Sequence, residues 1–169
     1  MLIFHSVISD ELHLKCTNEL ESLLKTNCWV SSASIWQERA MIGVSGSCIS
    51  TLITPPLHHL IEDEIKNYLP DYNRITCCFY VWERNSGIAF HGDEKYLFDA
   101  TIYLNHEWNP DFGGALVWED ANTINSGVYK CVFPSKGMMA LNNNKLKHQV
   151  SMVSPNATEP RMTIQISGY

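Results

Sequence analysis

Ile88-Ala89-Phe90-His91-Gly92-Asp93 is an apolar run that ends in a histidine, a glycine and a carboxylate. In a strand, residues i and i+2 share one face. His91 and Asp93 are therefore expected side by side at a strand end, with Gly92 leaving the backbone between them unobstructed. On its own, H-x-D is a weak signal in a chain with 7 His and 18 acidic residues. Far downstream, His148 opens another apolar segment, His148–Val153. Two imidazoles and one carboxylate make up the facial triad that holds non-haem Fe(II) and leaves coordination positions open. Arg161, in Arg161-Met162-Thr163, then places a cation on the following strand, where a dicarboxylate would be gripped.

Working outward, the sequence from Ile75 onward reads as short strands. The candidates are Ile75–Trp82, Thr101–Leu104, Ala115–Trp118, Val128–Phe133, Met138–Leu141, His148–Val153 and Arg161–Ser167. Turn residues separate them: Asn85-Ser86-Gly87, Asn109–Gly114, Asn125-Ser126-Gly127, Pro134, Asn142-Asn143-Asn144 and Ser154-Pro155-Asn156. Upstream, Ser9-Asp10 starts a helix over about residues 10–25, with Leu12, Cys16, Leu20 and Leu24 on one face. A second helix follows Pro55-Pro56, with Leu57, Leu60, Ile61, Ile65, Tyr68 and Leu69 as its buried stripe, and Pro70 ends it. His58 and His59 on this helix read as surface or packing residues. Helices first and strands afterwards argue against a parallel doubly wound sheet. The expected fold is mainly β with N-terminal helices (α+β), a distorted double-stranded β-helix or jelly roll. The metal site is expected at its open mouth.

A chain of 169 residues fits one domain, with a helical lead-in over about 1–70 and a jelly-roll core over about 75–169. The net charge of −6 argues against nucleic acid as a partner, which needs basic surface. Met1–Val7 lacks the charge and length of a signal peptide. No segment approaches the ~20 apolar residues that span a bilayer. A soluble, cytoplasmic protein is expected. The 6 cysteines (Cys16, Cys28, Cys48, Cys77, Cys78 and Cys131) form no C-x-x-C and are expected to be buried free thiols.

These residues resemble the 2-oxoglutarate- and Fe(II)-dependent dioxygenases, specifically the prolyl 4-hydroxylase-like branch. The resemblance runs from about Ile75 to Tyr169. Its most specific part is Thr101-Ile102-Tyr103-Leu104-Asn105, then Trp108, then Gly113-Gly114-Ala115-Leu116. The segment Arg161–Tyr169 is similar to the family's final strand. The resemblance implies that His91, Asp93 and His148 are the iron ligands and that all three, with Arg161, serve catalysis. It implies that Arg161 pairs with the distal carboxylate of 2-oxoglutarate. Thr163 and Tyr103 would add hydroxyls there, and Leu116 would pack beside the co-substrate. One departure lies nine residues before His91, where Trp82 stands at a position often occupied by Tyr; nearby Tyr80, in alternation with Val81, is expected to point the other way.

The resemblance further implies hydroxylation of an unactivated C–H bond, with O₂ as the other co-substrate, succinate and CO₂ as products, and ascorbate as a reductant. Asp93 favours hydroxylation, since halogenating relatives lack the carboxylate. The substrate would be a prolyl residue in a short peptide, an amino acid or another small molecule. Two other classes remain open at this stage: a cupin-like metal-binding protein and an inactive interaction module. Trp108 and Trp118 read as packing residues, and Gly113-Gly114 as a turn or bulge. His106 sits in a polar hairpin, so His148 is preferred as the distal ligand. Selectivity is expected in loops Gln37–Thr54, Asp93–Asp99 and Glu119–Ser126, the first a lid with Gly43 and Gly46 as hinges. The sequence leaves the oligomeric state open.

Overall fold

A computed structural model of the chain describes residues 1–26, 29–31, 47–120 and 126–169. Helix α1 (Asp10–Leu24) starts where Ser9 turns extended and its side chain accepts from the Leu12 backbone N–H, with Asp10 and Glu11 in the first turn. Helix α2 (Pro55–Ile65) starts on proline after Thr54 and tightens into a 3-10 turn at Lys66–Tyr68. Each helix caps the other. Ser9 donates its backbone N–H and hydroxyl to Glu64 of α2 (2.6 and 2.7 Å). Thr54 donates the same two groups to Glu19 of α1 (2.9 and 2.7 Å). These bonds satisfy N-terminal donors that a helix leaves open, and they fix how the helices cross.

The strands are β1 (Leu2–Phe4), β2 (Val30–Ser31), β3 (Cys48–Leu52), β4 (Ile75–Trp82), β5 (Ile88–His91), β6 (Phe98–Tyr103), β7 (Leu116–Glu119), β8 (Tyr129–Val132), β9 (Met139–Asn142), β10 (His148–Val150) and β11 (Arg161–Gly168). They form a 7-stranded sheet in the order β1-β9-β6-β11-β4-β3-β2 and a 4-stranded sheet in the order β5-β10-β7-β8. All pairings are antiparallel. The helices cover one face of the large sheet: Leu12, Cys16, Leu20, Leu57, Ile61 and Ile65 pack with Cys77, Phe79, Val81, Ile164 and Ile166. The small sheet covers the other face, where Trp82, Leu116, Trp118 and Val150 meet. With both faces covered, β6 is buried at every residue, so its apolar residues show no simple alternation. Two helices packed on two facing antiparallel sheets are the expected mainly β jelly roll. Among the described residues, no helix is long and apolar enough to cross a membrane.

Several expectations need correction. The lead-in is not only helical, because β1 pairs with β9 and β3 pairs with β4. Within the expected loop Gln37–Thr54, Cys48–Leu52 is a strand; its inward residues Cys48 and Ser50 gave no apolar alternation to read. Residues 37–46, with Gly43 and Gly46, and residues 121–125 lie outside the described residues, as does Cys28. Strand β6 begins at Phe98, inside the expected loop Asp93–Asp99, because Phe98 and Asp99 pair with Gly168 and Ser167. Leu24, Leu60 and Tyr68 are exposed. Leu60 stands one residue from Ile61, roughly 100° around the helix. Tyr68 lies beyond the α-helical part and packs on Phe4. Of the five described cysteines, all free, Cys131 is exposed on edge strand β8 and Cys78 is half-buried.

The two faces of α2 differ enough to test. Ile61→Ala empties a fully buried site (0% exposed) and should destabilise the fold by about 2–5 kcal/mol. Leu60→Ala, at a residue 43% exposed, should change it by less than about 1 kcal/mol. Urea midpoints at unchanged m-value check this; equal losses would mean that both residues face the sheet.

Candidate metal centre and anion pocket

Strand β10 lies between β5 and β7, with His148 opposite His91 on one side and Trp118 on the other. The imidazole rings of His91 and His148 stand 4.5 Å apart between centroids. Asp93, two residues past the end of β5, turns its carboxylate toward both. Its Oδ2 is 4.0 Å from His91 Nε2 and 3.7 Å from His148 Nε2. The three ligand atoms lie within 4.8 Å of one another. Each ring is oriented by a backbone carbonyl. His91 Nδ1 bonds to Ala89 O (2.8 Å) and His148 Nδ1 to Leu146 O (3.1 Å). A carbonyl can only accept, so both Nδ1 atoms donate, and both Nε2 atoms are turned toward Asp93. Burial, with the neighbouring His91, holds the pKa of His148 below its usual value. A neutral imidazole is the form a metal ion needs.

The His148 side chain has deeper support. Asn142, almost fully buried, accepts from Leu146 N (2.9 Å) and donates to Leu146 O (3.0 Å) and to Asp99 Oδ1 (3.2 Å). Burial, and then the charge of Asp93, push the Asp99 carboxyl up to about 8. Gly92 presses on nothing rigid: a methyl group there would meet only the Glu94 carboxyl.

The same pocket contains a second feature. Arg161 is the largest fully buried side chain, at 1% exposure. Its Nε donates to the Gly114 carbonyl (2.9 Å), and its guanidinium carbon lies over the Trp82 and Tyr103 rings at 5.7 and 5.0 Å. Among the described residues no carboxylate pairs with it. Two neighbouring hydroxyls, Tyr103 and Thr163, paired in register on β6 and β11, are buried without a partner in hydrogen-bonding geometry. Burial raises the Tyr103 pKa; the charge and close approach of the Arg161 guanidinium, which does not reach hydrogen-bonding geometry at the hydroxyl, oppose this. A buried cation and two buried orphan hydroxyls are each unfavourable unless a ligand meets them. Gly113 and Gly114, at φ +66 and +65, form the turn that delivers the Gly114 carbonyl. A side chain at Gly113 would collide with the Met152 carbonyl.

Arg161, His91, Asp93 and His148 line one pocket of about 650 Å³, open to solvent, with Ile88, Leu116, Val150 and Trp82 as apolar wall. The structure thus brings together the three expected metal ligands, Arg161 and Leu116, with Tyr103 and Thr163 beside the guanidinium. Trp118 packs between the sheets, and Trp108 bonds to the Gly113 carbonyl (3.0 Å) as part of the turn. Tyr80, Lys95, Tyr96, Thr101, Gln165 and Ser167 also line the pocket and were missed. The signal for two of them was present: alternation from Arg161 and Thr163 runs on to Gln165 and Ser167. His58, His59 and Glu62 on α2 form a second cluster with ligand atoms within 4.8 Å, away from the pocket lining. There the carboxylate already accepts from Tyr72 (2.9 Å).

The donor set fits a divalent transition metal, with two imidazole nitrogens and one carboxylate converging from strand ends. The orphan hydroxyls and buried guanidinium fit an anion beside it. No family model matches the sequence, and no curated protein does. Solved structures do match. A Pseudomonas putida prolyl-4-hydroxylase superposes with a TM-score of 0.73 at 17% identity, covering 99% of this chain and 91% of that one. A Trichoplax adhaerens prolyl hydroxylase, solved with a hypoxia inducible factor peptide fragment, gives 0.73 at 14% identity, over 99% and 82%. HygX from Streptomyces hygroscopicus, with nickel and 2-oxoglutarate bound, gives 0.68 at 14% identity, over 99% and 82%. Over nearly its whole length, the chain has the fold of the 2-oxoglutarate/Fe(II) oxygenases, in the form seen in prolyl 4-hydroxylases.

Proposed function

We propose that the chain is an Fe(II)- and 2-oxoglutarate-dependent dioxygenase. It would hydroxylate an unactivated C–H bond of a prolyl residue, an amino acid or another small substrate. The observation that carries this reading is Arg161: a buried cation without a carboxylate partner among the described residues, beside two hydroxyls that have none either, in the pocket that holds a His/Asp/His cluster. A metal-binding protein that took no dicarboxylate would have no use for this arrangement.

In this reading His91, Asp93 and His148 hold the iron, each imidazole through Nε2. When bound, Fe(II) with 2-oxoglutarate and O₂ supplies the oxidative decarboxylation to succinate and CO₂ and the oxidation of the C–H bond. The protein supplies position. The Ala89 and Leu146 carbonyls hold the imidazole protons on Nδ1, so neither ring has to reorient to bind metal. Arg161 neutralises the distal carboxylate of 2-oxoglutarate, and its planar fork sets that carboxylate's plane. Tyr103 and Thr163 donate their hydroxyl protons to the same group. Leu116, Ile88 and Val150 exclude water from the co-substrate's methylene segment.

An anaerobic titration of Fe(II)-loaded protein with 2-oxoglutarate, followed by the visible charge-transfer band of the chelate, tests the reading. The band should form in wild type and vanish in His91→Ala. Its absence from folded, iron-loaded wild type would overturn the proposal.

The pocket also implies opposite effects on stability and binding. Tyr103→Phe removes an unsatisfied buried hydroxyl, so the ligand-free protein should be as stable as wild type or more so. 2-Oxoglutarate affinity should fall about 2- to 10-fold, since a neutral hydrogen bond is worth roughly 0.5–1.5 kcal/mol. Arg161→Met should behave likewise with a larger loss, about 10- to 100-fold, for a charge-assisted contact of roughly 1.5–3 kcal/mol. Thermal unfolding and calorimetric titration of the same samples check both signs. A variant that lost stability and kept affinity would mark its side chain as structural.

A further inference from the structure

The outer part of the pocket has a chemistry of its own. On β11 the residues facing the small sheet are Arg161, Thr163, Gln165 and Ser167 in turn. The first two are assigned above to the co-substrate. Gln165 comes next, opposite Thr101 on β6. The buried Thr101 hydroxyl donates to the Gln165 side-chain oxygen at 2.8 Å. That bond occupies the amide's acceptor and fixes its plane. The Gln165 –NH₂ is left on the pocket lining without a partner among the described residues. Lys95 lines the same pocket. Its ammonium lies 4.7 Å over the Tyr96 ring, which is braced edge-on by Tyr169 at 5.2 Å. Lys95 forms no ion pair with a described carboxylate. Among the described residues the lining contains one carboxylate, Asp93, which is assigned above to the metal.

We propose that Gln165 and Lys95 form a carboxylate subsite for the primary substrate, so that the substrate class is a small molecule with a free carboxylate, such as an amino acid. The proposal rests on the oxygenase reading, because it assigns Arg161 to the co-substrate and leaves these donors for the substrate. Once Arg161 is engaged, an oriented amide donor and a cation remain on the described lining, beside the neutral hydroxyls of Tyr96 and Ser167. A neutral peptide backbone would satisfy the amide and leave Lys95 idle. A carboxylate uses both, through charge-assisted bonds. A cationic group would face Lys95 directly. The positive character is local, since the chain as a whole carries −6.

The test uses protein loaded with Zn(II), a redox-silent substitute, and saturated with 2-oxoglutarate so that Arg161 is occupied. The probes are pairs of N-acetyl-L-amino acids and their carboxamides, followed by ligand-observed NMR. The carboxylates should bind at least about tenfold more tightly than the matched carboxamides. Lys95→Gln should bring that ratio to within about twofold, and Gln165→Leu should weaken the carboxylates about tenfold. Equal binding of both probe types, no carboxylate binding at all, or an unchanged ratio in Lys95→Gln with full affinity in Gln165→Leu overturns the subsite. The same samples report 2-oxoglutarate binding. If it fails to bind, the oxygenase reading fails and this proposal falls with it. If it binds and no carboxylate preference exists, the subsite alone is wrong.

Discussion

A guanidinium held at 1% exposure, with no carboxylate opposite it among the described residues, is the constraint around which the inner face of the large sheet is built. Leaving water is severe for an ion, and a fold normally compensates with a partner charge. Here the compensation is partial and directional. The Gly114 carbonyl takes the Nε proton, and the Trp82 and Tyr103 rings offer their electron-rich faces. These contacts orient the fork without neutralising it. The Gly113-Gly114 turn exists in its left-handed form to bring that one carbonyl into place. Tyr103 and Thr163, paired across β6 and β11, keep buried hydroxyls without a hydrogen-bond partner among the described residues.

The strand that carries Arg161 also carries the core. On β11, Ile164 and Ile166 pack against the helices, while Arg161, Thr163 and Gln165 face the small sheet. A one-residue slip would exchange these sets, putting isoleucine beside the metal cluster and a cation among the helix contacts. The apolar face therefore specifies the polar one. The helices hold that register from the far side, and their reciprocal Ser9–Glu64 and Thr54–Glu19 caps make them act as a single buttress. The site's geometry thus depends on packing that never touches the ligand.

Much of this was legible in the sequence where local pattern and chemistry coincide. The run Ile75–Trp82 alternates visibly and is a strand over that same span. The apolar approach to His91 and the position of Arg161 at a strand start announced the cluster and the cation. What was hidden depends on tertiary partners. Cys48–Leu52 is a strand because β4 offers it an edge, and Cys48 and Ser50 carry no apolar rhythm. Leu60 is as apolar as Ile61, and only the helix's rotation against the sheet decides which is buried. Lys95 and Tyr96 reach the pocket from a loop whose path no periodicity encodes. Thr101 looked like any strand threonine until Gln165 stood opposite it.

The supports of the His/Asp/His cluster run deeper than the three side chains. Leu146 O holds the His148 proton on Nδ1, Asn142 clamps Leu146 from both sides, and Asp99 holds Asn142. Burial and the nearby Asp93 charge raise Asp99 to about 8, so at neutral pH it is mostly uncharged. Burial also holds the His148 pKa below its usual value, so the groups packed around the cluster favour their neutral forms. A divalent ion held there would keep a net positive charge, facing a pocket whose far contact is a second cation, Arg161. In the proposed reading, such an ion and Arg161, with apolar residues between them, would suit a molecule that is anionic at both ends and apolar in the middle, while Lys95 is a separate cation on the same lining.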